Sequence, residues 1–345
     1  MSATSSVTVT MATSDFPNSK PQVASPANHP VVIQGVAYQY SETLQPLWSG
    51  FGEIARYRNC DGHSIIVKRV APPTVMQHPR GWNSSLSEQR KLQSYRIEQH
   101  FYQHYAALCD AHCRVPQWRP ADPETASAAT MILEDLDAAG YPRRHTQDDG
   151  SVLYACLRWL AYFHARFMQH TSSDLWPVGG YWHLGTRPDE LANMQAGLLK
   201  SRANEIDAKL NNARFTTLIH GDAKLANFCF GEPTRVAALD FQYVGGGVGV
   251  KDLALLLASS LDNEALQRQS KEYEDFYFEQ LKAALNHYQQ SIDFTALEAE
   301  WRRLLAFAWA DYQRFLMGWK PDHSRITRYM CAKSEQAMAH LERLD

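Results

Sequence analysis

The 345-residue chain contains no run of eighteen apolar residues, which excludes a conventional membrane-spanning helix. Its six cysteines are scattered without disulfide-dense spacing, so a small secreted disulfide scaffold is excluded and a reducing, cytoplasmic setting is expected. Charge of one sign is also missing: 34 Lys and Arg against 37 Asp and Glu leave a net charge of −3, which argues against a general nucleic-acid binder. The opening MSATSSVTVTMATSDF has neither a basic stretch nor an apolar core, so it does not read as a secretory signal. It also has no arginine, which weighs against a mitochondrial address. No internal repeat is visible. Residues 1 to about 30 are rich in Ser, Thr and Pro without periodicity and read as a disordered tail.

What remains has an apolar content of 45%, enough for one large domain or two modest lobes. From Val31 to Val70 the texture is short and β-like. HSIIVKRV alternates, placing Ile66, Lys68 and Val70 on one strand face, and the turn signal Asn59-Cys60-Asp61-Gly62 makes Glu53–Arg58 and Ser64–Val70 a hairpin. A helix is expected from about Ser84 to Leu108, then strands near Arg114–Trp118 and Ser127–Leu133. Beyond MILEDLDAAGYP the pattern is helical, with stretches at Leu153–Gln169, Asp189–Asn211, Val250–Leu261, Glu264–Tyr288 and Ala296–Trp319. The expected class is α+β: a small β-rich N-terminal lobe (31–135) and a large helical C-terminal lobe (136–345).

The stretch LIHGDAKLANFCF, from Leu218 to Phe230, sets Asp222, Lys224 and Asn227 beside apolar runs, and buried charge is costly unless compensated. Phe228–Phe230 and Val236–Phe241 flank Gly-Glu-Pro-Thr-Arg and read as a second hairpin. A four-residue loop, Glu232 to Arg235, pairs Phe230 with Ala237 and puts Asn227 opposite Asp240. An amide oxygen and a carboxylate so placed suit a hard cation such as Mg²⁺, which leaves room for phosphates. Asp222 on the entering loop would orient a hydroxyl and accept its proton, and Lys224 would neutralise a moving phosphoryl group. Upstream, Gly50 and Gly52 in WSGFGEIARYR would let backbone approach phosphates. Lys68 is a candidate for phosphate binding, with Glu98 as its partner. Glu88 competes for that role but lies near the helix start, where acids simply favour the dipole.

His220-x-Asp222-x-x-x-x-Asn227, Asp240-Phe241-Gln242, Lys68 and Glu98 together resemble the protein-kinase-like phosphotransferases. HGD resembles the aminoglycoside phosphotransferase and choline kinase group. MILEDL, FHARF and DFQYVGGGVGVKDLALLL resemble its ecdysteroid-kinase-like branch. The resemblance spans about residues 45 to 260. It implies a bilobal kinase-like fold, ATP and Mg²⁺ as cofactors, Asp222 as base, and Asn227 and Asp240 as metal ligands. It also implies Lys68 on the phosphates steadied by Glu98, Glu134 and Leu136 as adenine-facing hinge backbone, and His220 and Asp252 as scaffold. Two departures stand out. Ala55 replaces the third glycine of the phosphate loop, and Lys224 occupies the catalytic-loop lysine position of Ser/Thr kinases. Only eleven residues separate Asp240 from Asp252, with no APE motif, so a small-molecule hydroxyl acceptor is expected rather than a protein. No nucleic-acid, membrane or obligate protein partner is expected. The alternatives are a choline or ethanolamine kinase proper and an idle nucleotide-binding pseudokinase.

Two further patterns have bland readings beside functional ones. Trp301, Leu305, Ala308, Tyr312, Phe315 and Trp319 recur at helical spacing, either as core or as an acceptor pocket in which Asp311 faces a quaternary ammonium. Cys109, His112 and Cys113 share a helical side, as buried thiols or as part of a metal site.

Overall fold

The computed structural model describes residues 29–47, 51–71, 85–125, 130–146, 150–170, 174–232 and 234–343. The expected tail up to residue 28 and Gly50 lie outside the described residues. An antiparallel sheet runs in chain order: β1 (Val31–Ile33), β2 (Val36–Pro46), β3 (Gly52–Arg58), β4 (Ser64–Val70) and β5 (Thr130–Glu134). The alternation of β4 divides its side chains as expected. Ile65 and Val67 pack with Ala55, Tyr57 and Ile132 on one face, and Lys68 comes out on the other. Gly52 has its own reason at the β3–β4 edge. Its φ is +127°, and a Cβ there would lie 2.0 Å from the Arg69 carbonyl oxygen.

Helix α1 (Ser85–His104) covers the Lys68 face of the sheet, followed by a 3₁₀ turn at Ala106–Leu108. The remainder is mainly helical: α2 (Val152–Arg166), α3 (Pro188–Asn193), α4 (Leu198–Ser201), α5 (Ala203–Asn211), α6 (Val250–Ser260), α7 (Asn263–His287), α8 (Phe294–Trp319) and α9 (Arg328–Glu342). α2 packs on α7, and α8 lies against α6 and α9. Asp262, Asp293 and Thr327 cap α7, α8 and α9 by accepting backbone N–H groups in the first turn. Two short strand pairs sit among these helices: β6 (Thr217–Ile219) with β9 (Gly245–Gly247), and β7 (Phe228–Phe230) with β8 (Val236–Ala238). None of the described helices is long and apolar enough to cross a membrane.

Three expectations need correction. The helix expected over Asp189–Asn211 is three pieces, because the chain is extended at Met194 and Gly197. Lys200 Nζ caps the end of α3 through the carbonyls of Ala192 and Met194. The strand expected at Arg114–Trp118 forms only isolated bridges at its two ends, since Pro116 has no N–H to contribute to a ladder. The β7–β8 register is shifted by one: Phe230 pairs with Val236, and Gly231 N–H bonds the Arg235 carbonyl at 2.9 Å. Asn227 therefore faces Leu239, whose N–H donates to the Asn227 carbonyl at 3.0 Å, and Asp240 lies one residue further on.

Candidate active site

Lys68 and Glu98 meet across the sheet–helix interface at 2.6 Å, 5% and 3% exposed. β4 supplies the lysine and α1 the acid, while Glu88 lies exposed at the helix start. Burial pushes the Glu98 carboxyl up to about 7, against the opposing pull of Lys68.

The loop from His220 to Asn227 is held by a second buried set. Asp252, in the first turn of α6, accepts the His220 N–H at 2.6 Å and the Gly221 N–H at 2.9 Å, and His164 Nε2 lies 3.1 Å from it. His220 in turn reaches the Leu239 carbonyl at 3.0 Å through Nε2, tying the loop to the end of β8. Gly221 adopts φ +78°, and a Cβ would fall 2.1 Å from the Tyr243 carbonyl oxygen, so the middle of His-Gly-Asp accepts only glycine without rearrangement.

Asp222 is buried, and its two oxygens differ. Oδ2 accepts from Lys224 Nζ at 2.9 Å and from Asn227 Nδ2 at 3.1 Å. Oδ1 is buried and accepts no hydrogen bond from the described residues. Burial raises the proton affinity of Asp222, with Lys224 opposing it, and the pairing with Asp222 raises that of Lys224. Asn227 donates its amide nitrogen to both the carbonyl and Oδ2 of Asp222. That leaves its amide oxygen as the atom a cation would use.

Asp240, one residue beyond the position that faces Asn227, sits at φ +69°, unusual for a residue with a side chain. Its Oδ1 accepts from Gln242 Nε2 at 2.8 Å. Burial disfavours its charge, but Lys68 and then Lys224 hold it below the usual carboxylate range. Asn227 and Asp240 thus offer an amide oxygen and an ionised carboxylate, a donor set suited to a hard divalent cation whose other ligands are phosphates and water. No cluster of three His, Cys, Asp or Glu exists among the described residues, so a closed protein cage is not available.

At the hinge, the Glu134 N–H donates to the Gln117 carbonyl and the Leu136 carbonyl accepts from the Tyr141 N–H. The Leu136 N–H donates to no backbone carbonyl among the described residues. The Glu134 side chain turns away to pair with Arg114.

Several residues of this region escaped the sequence reading. Tyr181 donates to the Tyr312 hydroxyl at 3.2 Å, and both phenols lie within the electrostatic reach of Asp222. Gln242 links Asp240 to Ser94 of α1. Tyr181 carried no local motif; Gln242 was within a motif but had no role assigned from it. In the aromatic stripe, Trp301, Leu305, Ala308 and Tyr312 are all core, and the Tyr312 hydroxyl lies within the electrostatic reach of Asp222 and Lys224. Asp311 is fully buried: its Oδ1 accepts from Arg314 at 2.8 Å, and its Oδ2 lies 4.0 Å from Lys251 Nζ with no hydrogen bond from the described residues. Cys113 is buried and His112 stacks on Tyr162, so the Cys109–His112–Cys113 side is packing.

Residues 183–290 match the model of the ecdysteroid kinase-like family, which bears out the resemblance read from the motifs. No curated protein matches the chain. Similar solved structures include amicoumacin kinase hAmiN in complex with AMP-PNP, Ca²⁺ and Ami, at 15% identity over 87% of each chain with a TM-score of 0.48. A putative fructosamine-3-kinase from Thermobifida fusca has 14% identity over 90% of this chain and 96% of its own, with a TM-score of 0.47. A Plasmodium vivax ethanolamine kinase has 11% identity over 89% and 83%, with a TM-score of 0.48.

Proposed function

We propose that this protein is an ATP- and Mg²⁺-dependent phosphotransferase that moves the γ-phosphate to a hydroxyl of a small molecule. The observation that carries the reading is the asymmetry of Asp222. One oxygen is anchored by Lys224 and Asn227, and the other is buried and uncommitted, as a base awaiting a hydroxyl proton requires. Asn227 and Asp240 would hold the metal, which supplies charge neutralisation between the phosphates when bound. Lys68, positioned by Glu98, would take the phosphates. Lys224 is placed to neutralise the transferring group, and the Leu136 N–H and the Glu134 carbonyl would read adenine. In this reading residues 31–135 bind nucleotide and 136–345 carry catalysis and the acceptor. All six cysteines are free thiols, which supports a reducing, cytoplasmic setting.

A small acceptor is supported by the segment after Asp240. It contains a three-residue strand, Gly245–Gly247, pressed onto β6, and a Cβ at Gly245 would lie 2.2 Å from the Trp176 carbonyl oxygen. Specific use of choline or ethanolamine has less support, because Asp311 is closed off by Arg314. The test is a panel of hydroxylated metabolites with labelled ATP, read by mass spectrometry. Transfer of label to a hydroxyl supports the reading. Nucleotide- and Mg²⁺-dependent thermal stabilisation with no transfer to any acceptor, nor to water, would favour an idle nucleotide-binding module instead.

A further inference from the structure

Helix α1 brings a second ammonium group to the site. Lys91, Tyr95 and Glu98 are spaced i, i+4, i+7, so they share the helix face that meets Lys68. Lys91 Nζ lies 5.0 Å from the centroid of the Tyr95 ring, and Lys68 Nζ lies 5.1 Å from the same centroid. One ring, carried by a rigid helix, therefore locates both cations. Burial and then the charge of Lys68 lower the Lys91 pKa to about 8, while Asp240 and Glu98 favour its charged form. Lys91 is thus a half-buried cation among the groups of the proposed phosphate site. The Tyr95 hydroxyl is buried beside them with no hydrogen-bond partner among the described residues.

The electrostatics follow. Two ammonium groups held over one ring repel each other, and a polyanion entering beside them turns that repulsion into attraction for both. A monophosphate ester, with fewer and more distant charges, would gain little from the second cation.

We propose that Lys91 is a second phosphate-binding cation, which contacts the polyphosphate chain of the nucleotide beside Lys68 and makes the site selective for triphosphates. The proposal rests on the nucleotide-binding reading above and deepens it.

The test measures binding of ATP and of AMP, each with Mg²⁺, by titration calorimetry to wild type, Lys91→Met and Lys91→Arg, with the melting temperature of each variant recorded. The expected result is that Lys91→Met weakens ATP about tenfold or more, the loss of one charge-assisted phosphate contact. AMP affinity and melting temperature should stay near wild type, and Lys91→Arg should retain most of the ATP affinity. Unchanged ATP binding by Lys91→Met overturns the role of Lys91 and leaves the kinase reading standing. Parallel loss of ATP, AMP and thermal stability also overturns it, assigning the residue to the fold. A wild-type protein that binds neither nucleotide overturns the parent reading, and this proposal with it.

Discussion

Gln242 Nε2 donates to Asp240 Oδ1 at 2.8 Å, and its own amide oxygen accepts from Ser94 Oγ at 3.2 Å. Helix α1 therefore holds both halves of the proposed phosphate site: Glu98 fixes Lys68, and Ser94 fixes Asp240 through Gln242. Phe241 strengthens the link by stacking on Phe101 of α1 at 3.9 Å between centroids. Removing Gln242 frees the carboxylate of Asp240, proposed above as a metal ligand, which already occupies an unusual backbone conformation. Gln242→Leu is expected to lower activity roughly 10–100-fold and to raise the Mg²⁺ concentration needed for half-maximal rate. Ser94→Ala should show the same metal signature more weakly. Steady-state kinetics across a Mg²⁺ series measures both, and a Gln242→Leu enzyme with the wild-type Mg²⁺ requirement would refute the link.

Asp222→Asn keeps the hydrogen-bonding shape of the side chain but removes the base. Turnover should fall by about 10²–10⁴-fold while ATP affinity changes little. Single-turnover transfer and calorimetric nucleotide binding on the same preparation separate the two effects. Near-normal transfer would remove Asp222 from the base role.

Lys224 favours the ionised form of Asp222 across a 2.9 Å contact. Burial already raises the Asp222 pKa, so the base loses its charge as pH falls through a value above the ordinary carboxylate range. Removing the lysine raises that value further. Lys224→Met should therefore shift the acid limb of kcat to higher pH as well as lower its plateau. A plateau loss without the shift would place Lys224 on the phosphoryl group alone.

Glu98 titrates near 7 because burial outweighs Lys68. Below that pH the carboxyl takes a proton and Lys68 loses the anion that fixes its ammonium in place, so kcat/KM for ATP should decline as pH falls through about 7. The linkage has the opposite sense for stability. A carboxyl whose folded pKa is raised favours folding most below its ordinary value, and that contribution is lost as pH rises through about 7. A pH series of kcat/KM alongside melting temperatures shows both trends, and an acid limb at the ordinary glutamate value would contradict the assignment.

Gly221→Ala places a Cβ 2.1 Å from the Tyr243 carbonyl oxygen at φ +78°. The substitution should destabilise the protein by roughly 1–3 kcal/mol and abolish transfer, because the loop carrying Asp222 must move. Denaturant unfolding of the purified variant checks the first part and the transfer assay the second.

Much of this arrangement was legible from local pattern. The β3–β4 hairpin, the Lys68 face and the α1 acid followed from alternation and turn residues, which act over a few positions. Asn227 was read opposite Asp240, one residue out of register, and faces Leu239 instead. A two-stranded pair with apolar side chains on both faces is poorly specified against a one-residue slip. Asp240 itself takes a positive φ that no pattern announces. The stripe on α8 was legible as a period but not as a surface. Only packing shows that Asp311 pairs with Arg314 while Tyr312, one residue on, accepts from the Tyr181 hydroxyl.

The sequence alone therefore determined the chemical inventory and its order along the chain: Lys68, Glu98, Asp222, Asn227 and Asp240. Composition and motif spacing are local properties that survive without a fold. Tertiary structure decided which groups meet. Asp222 keeps one oxygen uncommitted because Lys224 and Asn227 claim the other. Gln242 bridges to a helix 148 residues earlier in the chain, and Lys91 shares a tyrosine ring with Lys68. Those relations depend on side-chain direction at close contact, where a one-residue shift reverses the outcome, and that information exists only once the helices and sheet are packed.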